Sequence, residues 1–225
     1  MRLQIFPWLG QEFISLSWEG NGEGTVEDEV RDVFGQFDDW LRRFGLTLEH
    51  TVRTRQFCRN QEIWAAASAA RGRILTGAAR SVSSSHVRPA RLPEKSRVTA
   101  DLLAMFPPAI GEHKKLKEYE PATVVLRHLT WGGIVFVSGV TDMTHETLDE
   151  QFPVIIERLS ANLADAGASW EKVERASFFL HNEEKLDDLR ERFARTVRAP
   201  VPHVEYTFVD TRQGKRLEIE LTAKL

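Results

Sequence analysis

Three side chains near the C-terminus could move protons. His203 and Glu205 stand two residues apart in a segment that reads as a β-strand, so both side chains point to the same face of that strand. Imidazole titrates near neutral pH, which suits His203 to general acid or base catalysis. Glu218 lies in the next predicted strand, which we take to be its neighbour, and the three would form a proton-handling cluster. The alternative is that His203 and Glu205 line a polar contact between domains or a solvated face.

A second group of polar residues, in the first half of the chain, could bind an anion. Guanidinium groups grip carboxylates through two parallel hydrogen bonds, so this segment could hold a carboxylate across a cleft between domains. The alternative is a solvated hairpin. The group comprises Arg80, His86, Arg88 and Arg91, with Ser81, Ser83, Ser84 and Ser85 between them.

Composition and motifs argue against several other classes of function. A net charge of −3 gives no general attraction to nucleic acid or to acidic membranes. The seven histidines show no metal-site spacing, and no glycine-rich nucleotide-binding loop occurs, so we predict neither a metal nor a cofactor. The single cysteine, Cys58, is expected to be a buried structural thiol. No apolar run approaches the ~20 residues that span a bilayer, and we read no signal peptide. We expect a cytoplasmic protein.

The elements that must position these residues occur twice. Residues 13–60 align without a gap onto residues 135–182, an offset of 122. This period is too long for a solenoid repeat and indicates a duplicated domain. We predict a first domain over residues 1–105, a linker over 106–120 and a second domain over 121–225. The identities are Thr25/Thr147, Leu41/Leu163, Gly45/Gly167, Glu49/Glu171, Arg53/Arg175, Phe57/Phe179 and Asn60/Asn182.

Each half shows the same predicted order of elements, β-β-α-β-α-β-β. In both halves a threonine caps the first helix, an acidic residue follows three positions later, and a glycine ends the helix. Helices that alternate with strands in this way predict an α+β fold, with one mixed sheet and two helices on one face of each domain. The predicted strands are 3–6, 12–18, 52–58, 79–87, 96–105, 123–128, 134–140, 173–180, 204–209 and 216–223, and the predicted helices are 25–45, 62–75, 147–167 and 185–197.

The second half resembles the YjgF/Rid family (reactive intermediate deaminases) over residues 124–225. The motifs that carry the resemblance, in order, are VFVSG at 135–139, NL and AG at 162–167, VERASFFL at 173–180, Pro202, and LEIE at 217–220. The first half resembles a diverged copy, through the repeat and through ARLP at 90–93. The resemblance implies two tandem chorismate-mutase-like domains. It also implies assembly as a three-fold ring with clefts between neighbouring domains, so we expect a homotrimer.

The resemblance also locates the family's catalytic positions. Family deaminases hold the substrate carboxylate with an arginine where this chain has His203, and they often have Cys, Ser or Thr where it has Glu205. Gly139, preceded by Ser138, and Glu218 match the family pattern.

The missing carboxylate contact could come from elsewhere in the chain. The family's tyrosine falls on Val125. Arg127 lies two residues farther on, so it should share a strand face with Val125 and could replace the arginine. Its alternative is an exposed strand charge. Arg80, from the first domain, is the other candidate.

Typical members of the family hydrolyse enamines and imines. We therefore expect a cofactor-free enzyme that acts on a small carboxylated metabolite by hydrolytic or deaminase-like C–N chemistry. His203, Glu205 and Glu218 are the expected catalytic residues, and the substrate is expected to contact Ser138, Gly139, Arg127 and Arg80. Two alternatives stay open: a non-catalytic ligand-binding or regulatory protein, and a chorismate-hydrolase-like enzyme, for which the chain is short.

Overall fold

The computed structural model describes residues 2–87, 92–123, 125–210 and 214–225. The first domain is a five-stranded sheet in the order β1-β2-β5-β3-β4, with two helices on one face. Its elements are β1 (Arg2–Trp8), β2 (Gln11–Glu19), α1 (Val26–Arg43), β3 (Thr51–Cys58), α2 (Gln61–Ile74), β4 (Val82–Val87) and β5 (Val98–Met105).

The second domain repeats this arrangement with one more edge strand. Its sheet has six strands in the order β10-β9-β11-β8-β7-β6. The elements are β6 (Lys115–Glu118), β7 (Leu126–Trp131), β8 (Ile134–Thr141), α3 (Leu148–Asp165), β9 (Val173–His181), α4 (Leu186–Thr196), β10 (His203–Val209) and β11 (Leu217–Lys224).

The caps that marked the two long helices in the sequence are present. Thr25 forms a capping box with Asp28, and Thr147 forms one with Glu150, so each hydroxyl satisfies a backbone N–H that the first helical turn leaves unpaired. Both sheets are mixed, because β3–β4 and β9–β10 are parallel pairs while the other ladders are antiparallel. The α+β class, with two similar tandem domains, is confirmed.

Two details of strand placement differ from the sequence predictions. Residues 115–118, inside the predicted linker, form β6 and extend the second sheet. In addition, β9 lies between β10 and β11, so Glu218 is not on the strand next to His203 and Glu205. The expectation of adjacent strands was wrong, because β10 returns to pair in parallel with the outer edge of β9.

The helix-free faces of the two sheets pack against each other. Each domain has its own core on its helical face, and a third apolar cluster joins the domains. This cluster includes Phe13 and Met105 from the first domain and Leu129 and Phe136 from the second. Each domain therefore covers much of the face that would otherwise need a partner subunit, and the homotrimer stays a prediction. None of the helices in the described ranges has the length and apolarity to cross a membrane.

Candidate active site in the cleft between the domains

A cleft of about 1100 Å³ lies where the first domain meets the second. One wall comes from α2 and β4 and includes Trp64, Arg71 and Ser84. The opposite wall comes from β8 and β11 and includes Gly139 and Glu218. The cleft therefore depends on both copies of the duplicated domain.

Glu218 supplies the buried carboxyl group of this cleft. It is only 5% exposed, and Lys215, at 4%, forms an ion pair with its Oε2 atom. Burial raises the pKa of the Glu218 carboxyl, and the charge of Lys215 only partly offsets that rise. A carboxyl group in this setting is suited to hold a proton and donate it.

Gly139 makes room for the Glu218 carboxyl. A Cβ atom built on Gly139 would overlap the Glu218 carboxyl, so any larger residue would force the Glu218 side chain to move. The glycine of the VFVSG motif is thus needed for the close approach of β8 to this carboxyl. Ser138, immediately before it, is fully buried and accepts a long hydrogen bond, 3.4 Å, from the backbone N–H of Ser83. Ser138 therefore contributes to the contact between domains.

Three arginines of the first domain line the cleft: Arg71, Arg80 and the more exposed Arg73, which pairs with Glu27. Arg71 is 6% exposed and donates to the backbone carbonyl of Ser84 over 2.9 Å. Burial lowers the pKa of Arg71 to about 10, which leaves it charged at neutral pH. Arg80 lies nearer the solvent, where it pairs with Glu118 and donates to the carbonyl of Thr123. The predicted anion-binding segment thus contributes Arg80, Ser83, Ser84 and Ser85 to the cleft, while Arg88 and Arg91 lie outside the described residues.

Arg127 is directed to α3 rather than to the cleft, contrary to the expected geometry. Its Nε atom donates to Asn162 Oδ1 over 2.7 Å, and its Nη1 atom lies 3.6 Å from Asp165 Oδ2. The expectation assumed regular alternation from Val125. The strand begins only at Leu126, and the β6–β7 ladder has a register shift beside it, so that alternation does not extend back to Val125.

His203 and Glu205 lie together at a different pocket of about 390 Å³, which Phe6, Trp8 and Arg175 also line. His203 is exposed, whereas the Glu205 carboxylate contacts Arg175 and accepts a hydrogen bond from Ser177 over 2.6 Å. The structure thus separates these two residues from Glu218. Their catalytic role stays a prediction.

Glu205 also belongs to an ion network between the two domains. Arg55, from β3, lies 2.7 Å from Glu205 Oε1 and 2.8 Å from Glu220 Oε2. Burial would raise the pKa of the Glu205 carboxyl, but Arg55 and Arg175 outweigh that effect and lower it to about 2. Glu205 is therefore ionised at neutral pH and is committed to a contact between domains.

Sequence reasoning did not find Arg71 or Lys215. Arg71 sits on α2 one residue after Ala70 and four after Ala67, both buried, so its helical spacing places it on the inward face. That spacing was the available signal. Lys215 belongs to a basic turn before β11 and carried no comparable signal. Within the described parts of the chain, no three His, Cys, Asp or Glu side chains are grouped so as to hold a metal ion.

No family model matches the chain, and no curated protein sequence does. Among solved structures, a chorismatase determined at 1.08 Å matches 94% of this chain and 74% of its own, with 16% identity and a TM-score of 0.68. A Rid-family protein of unknown function from Yersinia pestis, YyfA, matches 50% of this chain and 99% of its own, with 19% identity and a TM-score of 0.46. A YjgF-family protein from Mycobacterium tuberculosis matches 50% and 99%, with 21% identity and a TM-score of 0.43. At these identities the likeness concerns the fold alone, and the chain shares the fold of the chorismatase over nearly its whole length.

Proposed function

We propose that the protein is a cofactor-free hydrolase of a small carboxylated metabolite that binds in the cleft between the domains. The observation that carries the proposal is Glu218, a buried carboxyl with a raised pKa in the wall of a cleft that arginines also line, among them Arg71 and Arg80. Acid–base groups with pKa values shifted by burial concentrate at catalytic sites. Lys215 can stabilise the Glu218 carboxylate after Glu218 has given up its proton.

The chemistry begins with proton transfer to an electron-rich double bond. Glu218 gives its proton to the terminal carbon of an enamine or enol ether, which leaves a cation stabilised by the adjacent nitrogen or oxygen. Water adds to the cationic carbon and returns one proton to the Glu218 carboxylate. The resulting carbinolamine or hemiketal releases ammonia or an alcohol, and a keto acid remains. One water molecule is consumed, and Glu218 ends as it began.

The arginines account for the carboxylate in the proposed substrate. Arg71 is fixed by its bond to the Ser84 carbonyl, so its guanidinium is held in place before the substrate binds. Arg80 can exchange its partly exposed partner Glu118 for a substrate carboxylate. Hydrogen bonds to charged groups contribute about 1.5–3 kcal/mol each, so these contacts are strong enough to set the affinity of a small anion.

Two substrate classes fit this chemistry, and the volume of the cleft favours the larger one. Ligand pockets commonly measure about 300–1000 Å³, and the cleft is slightly larger, at about 1100 Å³. A 2-imino acid of a few atoms would occupy little of it. An enol ether attached to a ring, such as chorismate, would fill more, and the chorismatase structure matches nearly the whole chain. Enamine hydrolysis, the activity suggested by the family resemblance, is the second candidate.

The test compares the purified protein with its Glu218→Gln variant on both substrate classes. Release of pyruvate from chorismate and hydrolysis of 2-aminoacrylate are measured side by side. Glu218→Gln keeps the size of the side chain but cannot donate an acidic proton, so turnover should fall by about 100-fold or more. The matched control is Thr99→Val, because Thr99 pairs with Phe57 on β3 as Glu218 pairs with Phe179 on β9.

The outcomes separate the alternatives. Loss of turnover in Glu218→Gln with normal turnover in Thr99→Val supports the proposal, and the substrate that turns over identifies the class. Calorimetric binding of either anion without turnover would indicate a ligand-binding protein instead. If Thr99→Val abolishes turnover and Glu218→Gln does not, the active residue belongs to the first domain.

A further inference from the structure

His86, on β4, is a buried imidazole whose nitrogens are both unpaired. Its side chain is fully buried, and neither Nδ1 nor Nε2 has a hydrogen-bond partner among the described residues. Leaving a buried polar group unpaired costs about 1–3 kcal/mol, and natural proteins pair most such groups. An apolar residue would fill this position at lower cost, so the imidazole requires an explanation.

Aromatic packing fixes the imidazole next to the proposed acid. The ring stacks on Phe179 with centroids 3.8 Å apart and lies 5.5 Å from Phe57. Its Nδ1 atom is 3.8 Å from Glu218 Oε2. That distance is too long for a hydrogen bond, but an approach of about 1 Å would form one. Because the stacked ring is held on two sides, the Glu218 side chain is the partner that must turn.

The charges around His86 and Glu218 determine the protonation state of each side chain. Arg55 on β3, Arg71 on α2 and Lys215 before β11 face His86, and Glu220 and Lys215 also act on Glu218. Burial, followed by the three cations, lowers the pKa of His86 well below its usual value. The ring is therefore neutral at physiological pH, and one of its nitrogens can accept a hydrogen bond.

We infer that His86 is a positioning residue for Glu218, whose protonated carboxyl donates a hydrogen bond to the neutral imidazole at Nδ1. Glu218 then has a partner for each of its states: His86 for the acid and Lys215 for the carboxylate. The ring keeps the proton on Glu218 until substrate arrives, and Lys215 holds the carboxylate after the proton has moved. The catalytic meaning of this contact rests on the proposed function, whereas the hydrogen bond itself does not.

The hydrogen bond can be tested without any substrate. The protein is labelled with ¹³C at glutamate side-chain carboxyls, and Glu218 is titrated by NMR, with its signal identified by its loss in Glu218→Gln. His86→Phe keeps the stacked ring but removes the acceptor, so Glu218 should titrate about one pH unit lower, a tenfold shift in its protonation equilibrium. His86→Gln, which restores an acceptor, should return part of that shift. An unchanged or raised titration point in His86→Phe would overturn the inference, since added apolar burial alone can only raise it.

A second measurement covers the case in which His86→Phe does not fold. ¹⁵N NMR of the wild-type protein reports which imidazole nitrogen carries hydrogen. Below the Glu218 titration point we expect a neutral ring with hydrogen on Nε2, so that Nδ1 is the acceptor. Hydrogen on Nδ1, or an imidazolium, contradicts the inference. If the wild-type protein turns over no substrate, the proposed function fails while these spectra still decide on the hydrogen bond.

Discussion

Arg55 should be among the side chains on which the joining of the two domains depends most. Its side chain is 15% exposed and forms ion pairs with Glu205 and Glu220, at 2.7 and 2.8 Å. It also donates to Ser177 Oγ over 2.8 Å. Glu220 is only 1% exposed, so without Arg55 its carboxylate keeps just Arg53, at 3.5 Å, among its ion-pair partners in the described ranges. Arg55→Met therefore leaves a buried negative charge poorly compensated.

The expected loss follows from that burial. Removing one partner of a buried ion pair costs about 3–5 kcal/mol. For a protein of this size, 1 kcal/mol corresponds to about 2–4 °C in melting temperature, so Arg55→Met should lower it by roughly 6–20 °C. Arg31→Met is the matched control, because Arg31 also has two acidic partners, Glu27 and Asp28, but its side chain is 63% exposed. An ion pair in water contributes little, so the control should melt close to the wild-type temperature.

Thermal unfolding followed by circular dichroism measures both variants, and a double variant separates charge burial from packing. Adding Glu220→Gln to Arg55→Met removes the uncompensated charge, so the double variant should lose less stability than the two single losses added together. Equal melting temperatures for Arg55→Met and Arg31→Met would refute this reasoning. Strict additivity would show that Arg55 stabilises the interface through packing on Phe179, over which its guanidinium lies at 5.2 Å, and not through charge.

Two further predictions concern the cleft and the interdomain network. Gly139→Ala places a methyl group against the Glu218 carboxyl, so calorimetry should detect no ligand binding in the cleft of this variant. The control is Gly35→Ala, which has open space at its Cβ position and should bind ligand as the wild type does, with slightly higher stability. Normal ligand binding by Gly139→Ala would contradict the packing seen here. Glu205 has a pKa lowered to about 2, despite the opposing effect of burial. Its contribution to stability should therefore be complete above its unfolded pKa of about 4.3 and should be lost as the pH falls towards 2. The free energy of unfolding is measured against pH for the wild type and for Glu205→Gln. The decrease between about pH 4 and 2 should be smaller in Glu205→Gln, and an unchanged decrease would contradict the prediction.

Most of the fold could be predicted because the local signals are strong and occur twice. The threonine caps, the helix-ending glycines and the alternation of apolar residues recur at an offset of 122, and each copy supports the other. The strand β6 was missed because Lys115–Glu118, KLKE, lies in a charged stretch without apolar alternation. It pairs with β7 as an exposed edge, where charged side chains are expected.

The site was less predictable because its residues meet only when the domains pack. Alternation along a strand indicates the face on which a side chain lies, but it does not tell which strand is next to it. This is why His203 and Glu205 were assigned to one cluster with Glu218, although β9 separates them. Arg71 and Glu218 could not be assigned to one cleft from sequence, because their proximity depends on how the helix-free faces are arranged.

The duplication explains why each domain carries only part of the proposed site. The equivalent ladder positions carry Glu218 in the second domain and Thr99 in the first, beside Phe179 and Phe57 respectively. The cleft joins β8 and β11 of the second domain to α2 and β4 of the first, so the proposed acid lies on one side and the arginines lie on the other. Elsewhere, Phe6 and Trp8 of β1 and His203 and Glu205 of β10 line a smaller pocket of about 390 Å³. In an assembly of identical single domains, the same chain would form both walls of each cleft and would have to carry the acid and the arginines together. Two fused copies can diverge, so the proposed function needs no second acid at the position of Thr99 in the first domain.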